Sequence, residues 1–214
     1  GAVNSAIEEV LPEIAKISDE NADAEIKIAV LDFSTDAKWL TPKPIDASNY
    51  AFNYLEAGGL TALGDACIKL NEKLSRKQFM AEAVGSFAPA LFLLSDGEPT
   101  DNWERGLAKL KENKWYQKAI KAAVAIGNDA DINVLEAFTG NIESVLTVHT
   151  PAALAKMITF ITVTASEIGS KSSSVGFGNS STDAIQTKQD DFNDALAAMA
   201  PAIVSNDSDD DEWD

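Results

Sequence analysis

The amino-acid sequence predicts an α/β fold with a doubly wound, mostly parallel sheet, helices on both faces and one antiparallel edge strand. Short apolar runs alternate with longer stretches whose apolar residues recur at helical spacing, which is the order of a βαβ protein. The run 88–94 shows little polar alternation and leads into Ser95-Asp96-Gly97-Glu98-Pro99-Thr100-Asp101. Such a run is typical of a strand that is covered on both faces and ends in a turn.

The first part of the chain predicts a helix, a hairpin and an irregular stretch. The N-terminal residues form one apolar helical stripe with a kink at Pro12, and the run 24–33 predicts a buried strand. After a short polar turn, the stretch 37–41 is expected to pair back as an edge hairpin. Residues 45–57 show no clear period and predict irregular structure. The stripe of the first helix consists of Val3, Ile7, Val10, Leu11 and Ile14.

Two polar turns in the middle of the chain each lead into a helix. The turn Gly58-Gly59-Leu60-Thr61 precedes a helix with one apolar face. The strand at 88–94 is followed by a helix that Thr100 or Asp101 is expected to cap, with Glu104 completing a capping box. The unit is therefore a strand, a polar turn and a helix. The apolar face of the earlier helix carries Leu63, Cys67, Leu70 and Leu74.

The remaining elements continue the alternation of strands and helices. Thr150-Pro151 has the cap-plus-proline signature of a helix start, and Leu154, Met157, Ile158 and Ile161 give that helix a buried stripe. The predicted order is a strand at 118–126, a helix at 131–138 closed by Gly140, a strand at 143–148 and this helix.

Composition changes near the C-terminus divide the chain into segments. Residues 1–168 form the predicted α/β domain, and 169–187 are rich in Ser, Gly and Asn and predict a connector. Residues 188–205 predict a helix with a short extension, and 206–214 form an acidic tail. The apolar side of that last helix consists of Phe192, Ala195, Leu196 and Met199.

Charge and residue counts exclude several classes of function. The 214 residues include 17 basic and 34 acidic side chains, giving a net charge of -17, which argues against nucleic-acid binding. No apolar run approaches the length needed to span a bilayer, and we expect a soluble, cytoplasmic protein without a membrane partner. Cys67 and His149 are the sole residues of their types, so the usual zinc ligand sets cannot be built, and both are expected to serve packing.

Three segments together resemble the von Willebrand factor type A (vWA) domain, particularly its bacterial tellurium-resistance TerY-like branch. They are the hairpin 26–41, the glycine-rich turn 58–64 and the strand ending in Asp96. The resemblance implies a metal-ion-dependent adhesion site with Thr61 and Asp96 as ligands of Mg²⁺ or a similar hard cation. In this chain Leu60 stands between the glycines and the threonine, whereas the family's turn reads Gly-Gly-Thr.

The same resemblance implies that one central strand of the family's sheet, together with its Asp-x-Ser-x-Ser motif, is not part of this chain. The chain's first residues match the helix that follows that strand, so the metal site would keep only part of its ligands. We therefore expect weak or absent Mg²⁺ binding. The two flanking strands would be left with unpaired edges. A second copy of the chain through oligomerisation or strand exchange, the Ser/Gly-rich segment, or direct pairing of the flanking strands would fill the gap.

The function expected from the resemblance is non-enzymatic, metal-dependent binding of a protein partner through a carboxylate, in a bacterial stress or tellurium-resistance system. One alternative is a magnesium-dependent phosphate-ester hydrolase that uses Asp32 and Asp96, because Asp32-Phe33-Ser34-Thr35-Asp36 also follows a strand. The stretch after it predicts a return strand, which favours a turn-forming role for Asp32. A second alternative is a metal-free interaction scaffold. No nucleophile elbow and no Walker-type loop occur in the sequence.

Overall fold

The structure is a computed structural model that describes residues 2–20, 26–55, 58, 60–83, 88–170 and 181–204. Helices and strands alternate along most of this length, which confirms the predicted α/β class. The helices are α1 (Ala2–Glu20), α2 (Leu63–Lys73), α3 (Trp103–Lys111), α4 (Lys114–Lys118), α5 (Ile132–Thr139), α6 (Pro151–Ser170) and α7 (Ser181–Val204). The strands are β1 (Lys27–Ile28), β2 (Leu31–Phe33), β3 (Ala37–Trp39), β4 (Ile45–Asp46), β5 (Ala90–Ser95), β6 (Ile120–Ile126) and β7 (Val145–Val148).

The strands of the described residues form one parallel sheet and two antiparallel ladders. The parallel sheet has the order β5-β6-β7, with Leu94 opposite Val124 and Val124 opposite Leu146. The ladders pair β1 with β4 and β2 with β3. Each crossover between parallel strands contains a helix, as parallel pairing requires.

The middle strand β6 divides its side chains between two cores. Its even-numbered residues face α1, α6 and α7, which we call the first core. Its odd-numbered residues Ala123 and Ala125 face α2, α3 and α5, the second core. Because strand side chains alternate between faces, a strand that is apolar at every position but Lys121 needs helices on both sides. The even-numbered residues are Ile120, Ala122, Val124 and Ile126, all buried.

The hairpin is confirmed, but its surroundings differ from the prediction in two ways. The run 24–33 is not a single strand, because the N–H of Val30 donates to the hydroxyl of buried Thr41 (3.1 Å) between β1 and β2. Residues 45–57 are not wholly irregular, since β4 pairs with β1 and a short 3-10 helix, Ala47–Asn49, follows. In the described residues β2 and β5 belong to separate sheets, so direct pairing of the flanking strands, one of the three alternatives for the gap, does not occur.

Two helix starts also differ from the prediction. Asn102 caps α3 by accepting from the N–H of Arg105 (3.0 Å), so the prediction of Thr100 or Asp101 as the cap was wrong. The strand expected at 118–126 begins two residues later because α4 precedes it, capped by the side chain of Asn113. The expected helix closed by Gly140 is confirmed, and this glycine has a φ of 83°.

The C-terminal boundaries shift because both flanking helices are longer than expected. Residues 169–170 and 181–187 of the predicted connector are helical, and 171–180 lie outside the described residues, as does the acidic tail 206–214. Phe192 and Leu196 of α7 are buried in the first core as predicted, whereas Met199 is 41% exposed. The predicted apolar stripe is therefore one turn shorter.

Helix α6 is long and apolar enough, by length and composition, to cross a membrane over Pro151–Gly169. The expectation that no run approaches that length was therefore wrong. Its side chains Leu154, Met157 and Ile161 are at most 1% exposed and lie in the first core against α1 and α7. In the described residues 44% of this stretch is buried, so packing in the core accounts for part of the apolar composition of this helix.

Candidate functional site

Three segments meet at the carboxyl end of β5. They are the β2–β3 turn at Ser34, the turn before α2 and the segment that follows β5. The N–H of Ala62 donates to the carbonyl of Ser34 (2.9 Å), and the N–H of Thr100 donates to the carbonyl of Thr61 (3.0 Å). The N–H of Thr61 in turn donates to the hydroxyl of Thr100 (3.1 Å). The single peptide group between Thr61 and Ala62 thus joins the hairpin to the β5 segment.

Asp101 organises this edge by capping a helix other than its own. Its carboxylate accepts from the N–H groups of Gly64 (2.9 Å) and Asp65 (3.0 Å), in the first turn of α2. The residue before α2, Ala62, offers no side-chain cap. A carboxylate at a helix N-terminus satisfies otherwise unpaired donors and interacts favourably with the helix dipole. The sequence suggested a capping role for Asp101 but assigned it to the wrong helix.

A glycine contact brings α2 and α3 close enough for this cap. A Cβ built on Gly106 would lie 2.3 Å from the carbonyl oxygen of Gly64, and one built on Gly64 would lie 2.6 Å from the carbonyl oxygen of Asn102. Both positions are therefore restricted to glycine by the close approach of two backbones. Neither residue carries a periodic signal, so sequence reasoning missed this contact.

Thr61 and Asp96 lie on neighbouring segments of this edge. Thr61 is half-buried and Asp96 is exposed. The Thr61 hydroxyl faces the segment that carries Asp96, because a Cβ on Gly97 would lie 3.8 Å from Thr61 Oγ1. Within the described part of the chain, neither this hydroxyl nor the Asp96 carboxylate has a hydrogen-bond partner. Both groups are open to an external ligand.

The carboxylate of Asp65, which lies beside the hairpin, is occupied. Asp65 accepts from the N–H of Ala37 (2.9 Å) and forms an ion pair with Lys69 (3.0 Å), and Lys69 also donates to the carbonyl of Ala37. The hydrogen bond from Ala37, together with Lys69, lowers the pKa of Asp65 despite partial desolvation. Asp65 and Lys69 therefore fasten β3 to α2.

An open acidic cleft of about 650 Å³ lies beside Asp96. It runs between the turn after β5 and the turn after β6, and Glu98, Asp129 and Asp131 contribute its carboxylates. Asp131 caps α5 through the N–H groups of Asn133 (2.9 Å) and Val134 (3.4 Å). No basic side chain lines the described cleft, so the negative charge of the whole chain extends to this edge.

The remaining sequence candidates do not join the site. Asp32 lies inside β2, directly opposite Lys38 on β3, and strand alternation directs it away from Phe33, which packs on the second core. The return strand expected after Asp32 is β3, so its surroundings do not favour the hydrolase alternative. Cys67 is buried, and burial raises the pKa of its thiol to about 12, which makes it unreactive. His149 is half-buried directly after β7.

The described residues do not form a cage for a divalent cation. They contain no group of three or more His, Cys, Asp or Glu side chains placed to hold a metal ion. Asp101 and Asp65 use carboxylate oxygens on backbone N–H groups and Lys69, whereas Thr61 and Asp96 keep their side-chain oxygens free of hydrogen bonds from the described residues. Magnesium prefers six oxygen ligands in octahedral geometry and retains several waters in most protein sites. The Thr61 hydroxyl and the Asp96 carboxylate could therefore supply part of such a shell, with the rest coming from water or from a partner.

The parallel sheet, the hairpin and the loop edge together define a vWA-like α/β fold. No family model matches the sequence, and no curated protein matches it. Among solved structures, proximal thread matrix protein 1 from the mussel byssus is similar with a TM-score of 0.53 and 18% identity, covering 73% of this chain and 41% of that one. A von Willebrand factor type A structure from Catenulispora acidiphila has a TM-score of 0.51 and 18% identity, covering 73% and 38%.

This likeness concerns the fold. At 18% identity it carries no residue roles from those proteins to this one. The chain spans about two fifths of the length of both structures.

Proposed function

We propose that this chain is a non-enzymatic interaction domain that binds a protein partner through its loop edge at Thr61 and Asp96. One observation carries the proposal. A hydroxyl and a carboxylate without partners in the described chain lie on adjacent segments at the carboxyl end of β5. Ligands of open α/β sheets bind at such ends of the strands. The edge is also firmly held by the hydrogen bonds of Thr100 and Asp101, so it presents these groups in a fixed arrangement.

We expect the chain alone to bind Mg²⁺ weakly or not at all, because one hydroxyl and one carboxylate are few protein ligands for a cation that gives up its water reluctantly. Titration calorimetry with magnesium chloride should give no saturable heat at millimolar concentrations. Tight, stoichiometric binding that Asp96→Ala abolishes would contradict this expectation. A cation on this edge would therefore depend on oxygens from the partner.

Partner capture tests the edge directly. The wild-type chain, Asp96→Ala, Thr61→Ala and the control Glu112→Ala would be immobilised, since Glu112 is exposed and lies at the C-terminal end of α3, opposite to the end that meets the edge. Metal-dependent recognition is supported if the wild type and the control retain the same protein and both edge variants fail to retain it. A chelator should also release that protein from the wild type. Equal retention by all four in the presence of the chelator would favour the metal-free scaffold instead.

Two measurements separate this function from loss of folding and from catalysis. Asp96→Ala and Thr61→Ala should unfold at the wild-type denaturant concentration, because neither side chain makes a hydrogen bond to the described chain. The wild type should not hydrolyse p-nitrophenyl phosphate with magnesium present. Turnover that Asp32→Asn removes would overturn the non-enzymatic proposal in favour of the hydrolase.

A narrower proposal concerns the biological setting. The order of the hairpin, the glycine-rich turn and the strand ending in Asp96 resembles the TerY-like branch, which supports a cytoplasmic role in a bacterial stress or tellurium-resistance system. Deleting the gene in its host should increase sensitivity to tellurite, and the wild-type gene should restore growth. If the Asp96→Ala gene restores growth on tellurite as well as the wild-type gene does, the role in resistance does not depend on the loop edge.

A further inference from the structure

The basic side chains of this acidic chain are concentrated in one part of the fold. The stretches 69–77 and 105–121 contain ten of the 17 basic residues and two of the 34 acidic ones, which gives them a formal charge of +8. The rest of the chain, with seven basic and 32 acidic residues, carries -25. The two stretches comprise the C-terminal half of α2, the turn after it, most of α3, and α4. The sign of the charge is therefore reversed in this part of the molecule.

Hydrogen bonds and a ring contact bring these helix ends together. The side chain of Asn113, which caps α4, donates to the carbonyls of Asn71 (3.2 Å) and Leu74 (3.1 Å) at the end of α2. The guanidinium of Arg76, in the turn after α2, lies over the ring of Trp115 in α4, 5.3 Å from its centroid. The end of α2 and the start of α4 therefore share one surface.

Six cations lie around this junction, and we call them the basic surface. The side chain of Gln117 in α4 donates to the carbonyl of Lys111 (2.9 Å), so the end of α3 adjoins α4 as well. Five of the six are exposed and one, Lys73, is half-buried. Among the described residues, no carboxylate forms an ion pair with any of the six. They are Lys73, Arg76, Lys77, Lys111, Lys114 and Lys118.

Helix stability accounts for part of this surface. Lys73, Lys111 and Lys118 lie in the last turns of their helices, where a cation interacts favourably with the helix dipole. Lys114 is the first residue of α4, where the same dipole disfavours a cation, and Lys77 belongs to no helix. Unpaired like charges also repel one another. The cluster therefore favours an anionic ligand that neutralises it.

The composition of the basic surface favours carboxylates spread along a flexible segment. Five of its six members are lysines, which are compact charges and do not impose the bidentate geometry of an arginine pair. At physiological ionic strength, exposed charges attract one another over about 8 Å, so a short acidic segment interacts with this surface alone. A nucleic acid or a lipid bilayer extends beyond it and meets the -25 of the remaining chain.

We propose that the basic surface binds an acidic segment of a partner protein through the Asp and Glu side chains of that segment. Its carboxylates form ion pairs with the lysines of α4 and with Arg76. Charge complementarity of exposed groups contributes more to the rate of association and the choice of partner than to affinity. Binding is therefore fast, modest in strength and sensitive to salt.

This proposal goes beyond the loop-edge function and does not depend on it. The loop edge lies at the N-terminal ends of α2 and α3, where Asp101 binds the first turn of α2, and the basic surface lies at their C-terminal ends. Helix α2 has 11 residues and is therefore about 16 Å long. Asp96→Ala and Thr61→Ala should leave the affinity for an acidic segment unchanged, so the two proposals can fail separately.

A designed peptide provides the first test. The probe is fluorescein-labelled Gly-Asp-Glu-Asp-Glu-Asp-Asp-Gly, and its control is the amide peptide Gly-Asn-Gln-Asn-Gln-Asn-Asn-Gly. Fluorescence anisotropy of the acidic peptide with the full chain should saturate at low ionic strength, and added sodium chloride should weaken binding because it screens exposed charges. The amide peptide should not bind. Equal binding of the two peptides, or no saturation with the acidic one, would overturn the proposal.

Charge reversal locates the binding surface. The double variant Lys114→Glu/Lys118→Glu should bind the acidic peptide at least about 10-fold more weakly, because two attractive pairs become repulsive. Its matched control is Lys16→Glu/Lys156→Glu, which changes the net charge equally at exposed positions of α1 and α6, on the side of the first core. The control should bind nearly as tightly as the wild type. Equal weakening in both double variants would mean that net charge alone governs binding, contrary to the proposal.

The single variant Lys114→Glu separates binding from folding. An acidic residue at a helix start interacts favourably with the dipole, so urea unfolding should show wild-type or slightly higher stability. The affinity for the acidic peptide should nevertheless decrease. Wild-type affinity in this stably folded variant and in the double variant would exclude α4 from the binding surface and refute the proposal.

Competition distinguishes the class of occupant. Neither single-stranded oligothymidylate nor phosphatidylserine vesicles should displace the acidic peptide when added at the same concentration of negative charge. Displacement by either would assign the surface to a nucleic acid or to a lipid. A chain that ends at Val204 should bind the peptide as the full chain does. Much tighter binding by that shorter chain would assign the surface to residues 205–214 of the chain itself, and each of these results contradicts the proposal.

Discussion

The two sides of the parallel sheet differ in how backbone groups without a strand partner are hydrogen-bonded. On the β7 side, Lys121 of β6 precedes the first pair, Ala123 with Val145, so its backbone has no strand partner there. Gln189 of α7 accepts from the N–H of Lys121 (2.8 Å) and donates to its C=O (3.1 Å). On the β5 side, the outward groups of Phe92 and Leu94 have no such partner in the described chain.

The completed side is part of a buried polar network. The two N–H bonds of the Gln189 amide are shared among the C=O of Lys121, the Ser144 hydroxyl (3.2 Å) and Asn193 Oδ1 (3.0 Å), and the Ser144 hydroxyl donates to Asn193 Oδ1 (2.7 Å). Ser144 is 0% and Asn193 6% exposed. Buried polar groups destabilise a fold unless they are hydrogen-bonded, and here the side-chain amide of Gln189 supplies the hydrogen bonds that a neighbouring strand would otherwise make. The contrast teaches that the fold uses its own side chains to satisfy the buried backbone of β6 where β7 has not yet begun, whereas no described residue does so along the outer side of β5.

Proline substitution on the two sides should give the largest difference. Ala123→Pro removes an N–H that faces β7 in the middle of the sheet and should lower the free energy of unfolding by more than about 3 kcal/mol. Ala90→Pro removes an outward N–H at an exposed position of β5 and should cost less than about 1 kcal/mol. Urea unfolding followed by circular dichroism measures both. A cost of several kcal/mol for Ala90→Pro would show that its N–H is paired.

Removing the amide of Gln189 should have the next largest effect. Gln189→Ala leaves the N–H and C=O of Lys121 without partners and removes one donor from Ser144 and one from Asn193, which keep their mutual hydrogen bond, and it should lower the free energy of unfolding by about 2 to 3 kcal/mol. Gln189→Glu keeps an acceptor for Lys121 but loses both donors, so it should also destabilise. Asp194→Ala on the exposed side of α7 is the control and should change stability by less than about 0.5 kcal/mol. If Gln189→Ala is as stable as the control, the hydrogen bonds of Gln189 to Lys121 do not stabilise the β7 side of the sheet.

A smaller effect should appear in the pH dependence at Lys121. Burial lowers the pKa of its ammonium from 10.5 to about 8, although the group donates to the carbonyl of Ala119 (2.9 Å). Between these two pKa values the unfolded chain binds the proton and the folded chain does not. This group's contribution to stability therefore rises with pH from about 8 to 10.5, by at most about 1.4 kcal/mol per pH unit.

Comparison with Lys121→Met isolates that contribution. The difference in unfolding free energy, variant minus wild type, should be largest below pH 8 and should decrease as the pH rises, since groups common to both proteins cancel. Guanidinium unfolding at pH 7, 8 and 9 measures it. A constant difference across this range would mean that Lys121 keeps its ordinary pKa in the folded chain.

Local patterns predicted most of the elements, and long-range contacts decided where they end. The apolar run 88–94 predicted β5, because a strand covered on both faces has no polar alternation. The cap of α3 was missed because Asp101 binds the first turn of α2, and no local pattern shows that α2 lies beside it. The split of the run 24–33 depends in the same way on the hydroxyl of Thr41.

For the candidate site, the sequence indicated which residues to consider but not the contacts around them. The spacing of the glycine-rich turn and the strand ending in Asp96 indicated which residues to consider, and the fold brings the Thr61 hydroxyl toward the Asp96 segment. The hydrogen bonds of Thr100, which hold Thr61 in place, could not be predicted, because they join residues 39 positions apart. The acidic cleft beside them likewise combines turns from two different strands.

The sequence by itself determined the α/β class, the alternation of its elements, the strongly acidic charge and the identity of the candidate residues, because periodicity and composition act over short stretches. Only the tertiary structure decided which backbone groups are satisfied. Gln189 reaches Lys121 across 68 residues, and Asp101 reaches α2 across 37, whereas the outward groups of β5 find no partner in the described chain. Hydrogen bonding depends on which groups packing brings within about 3 Å, and periodicity does not contain that information.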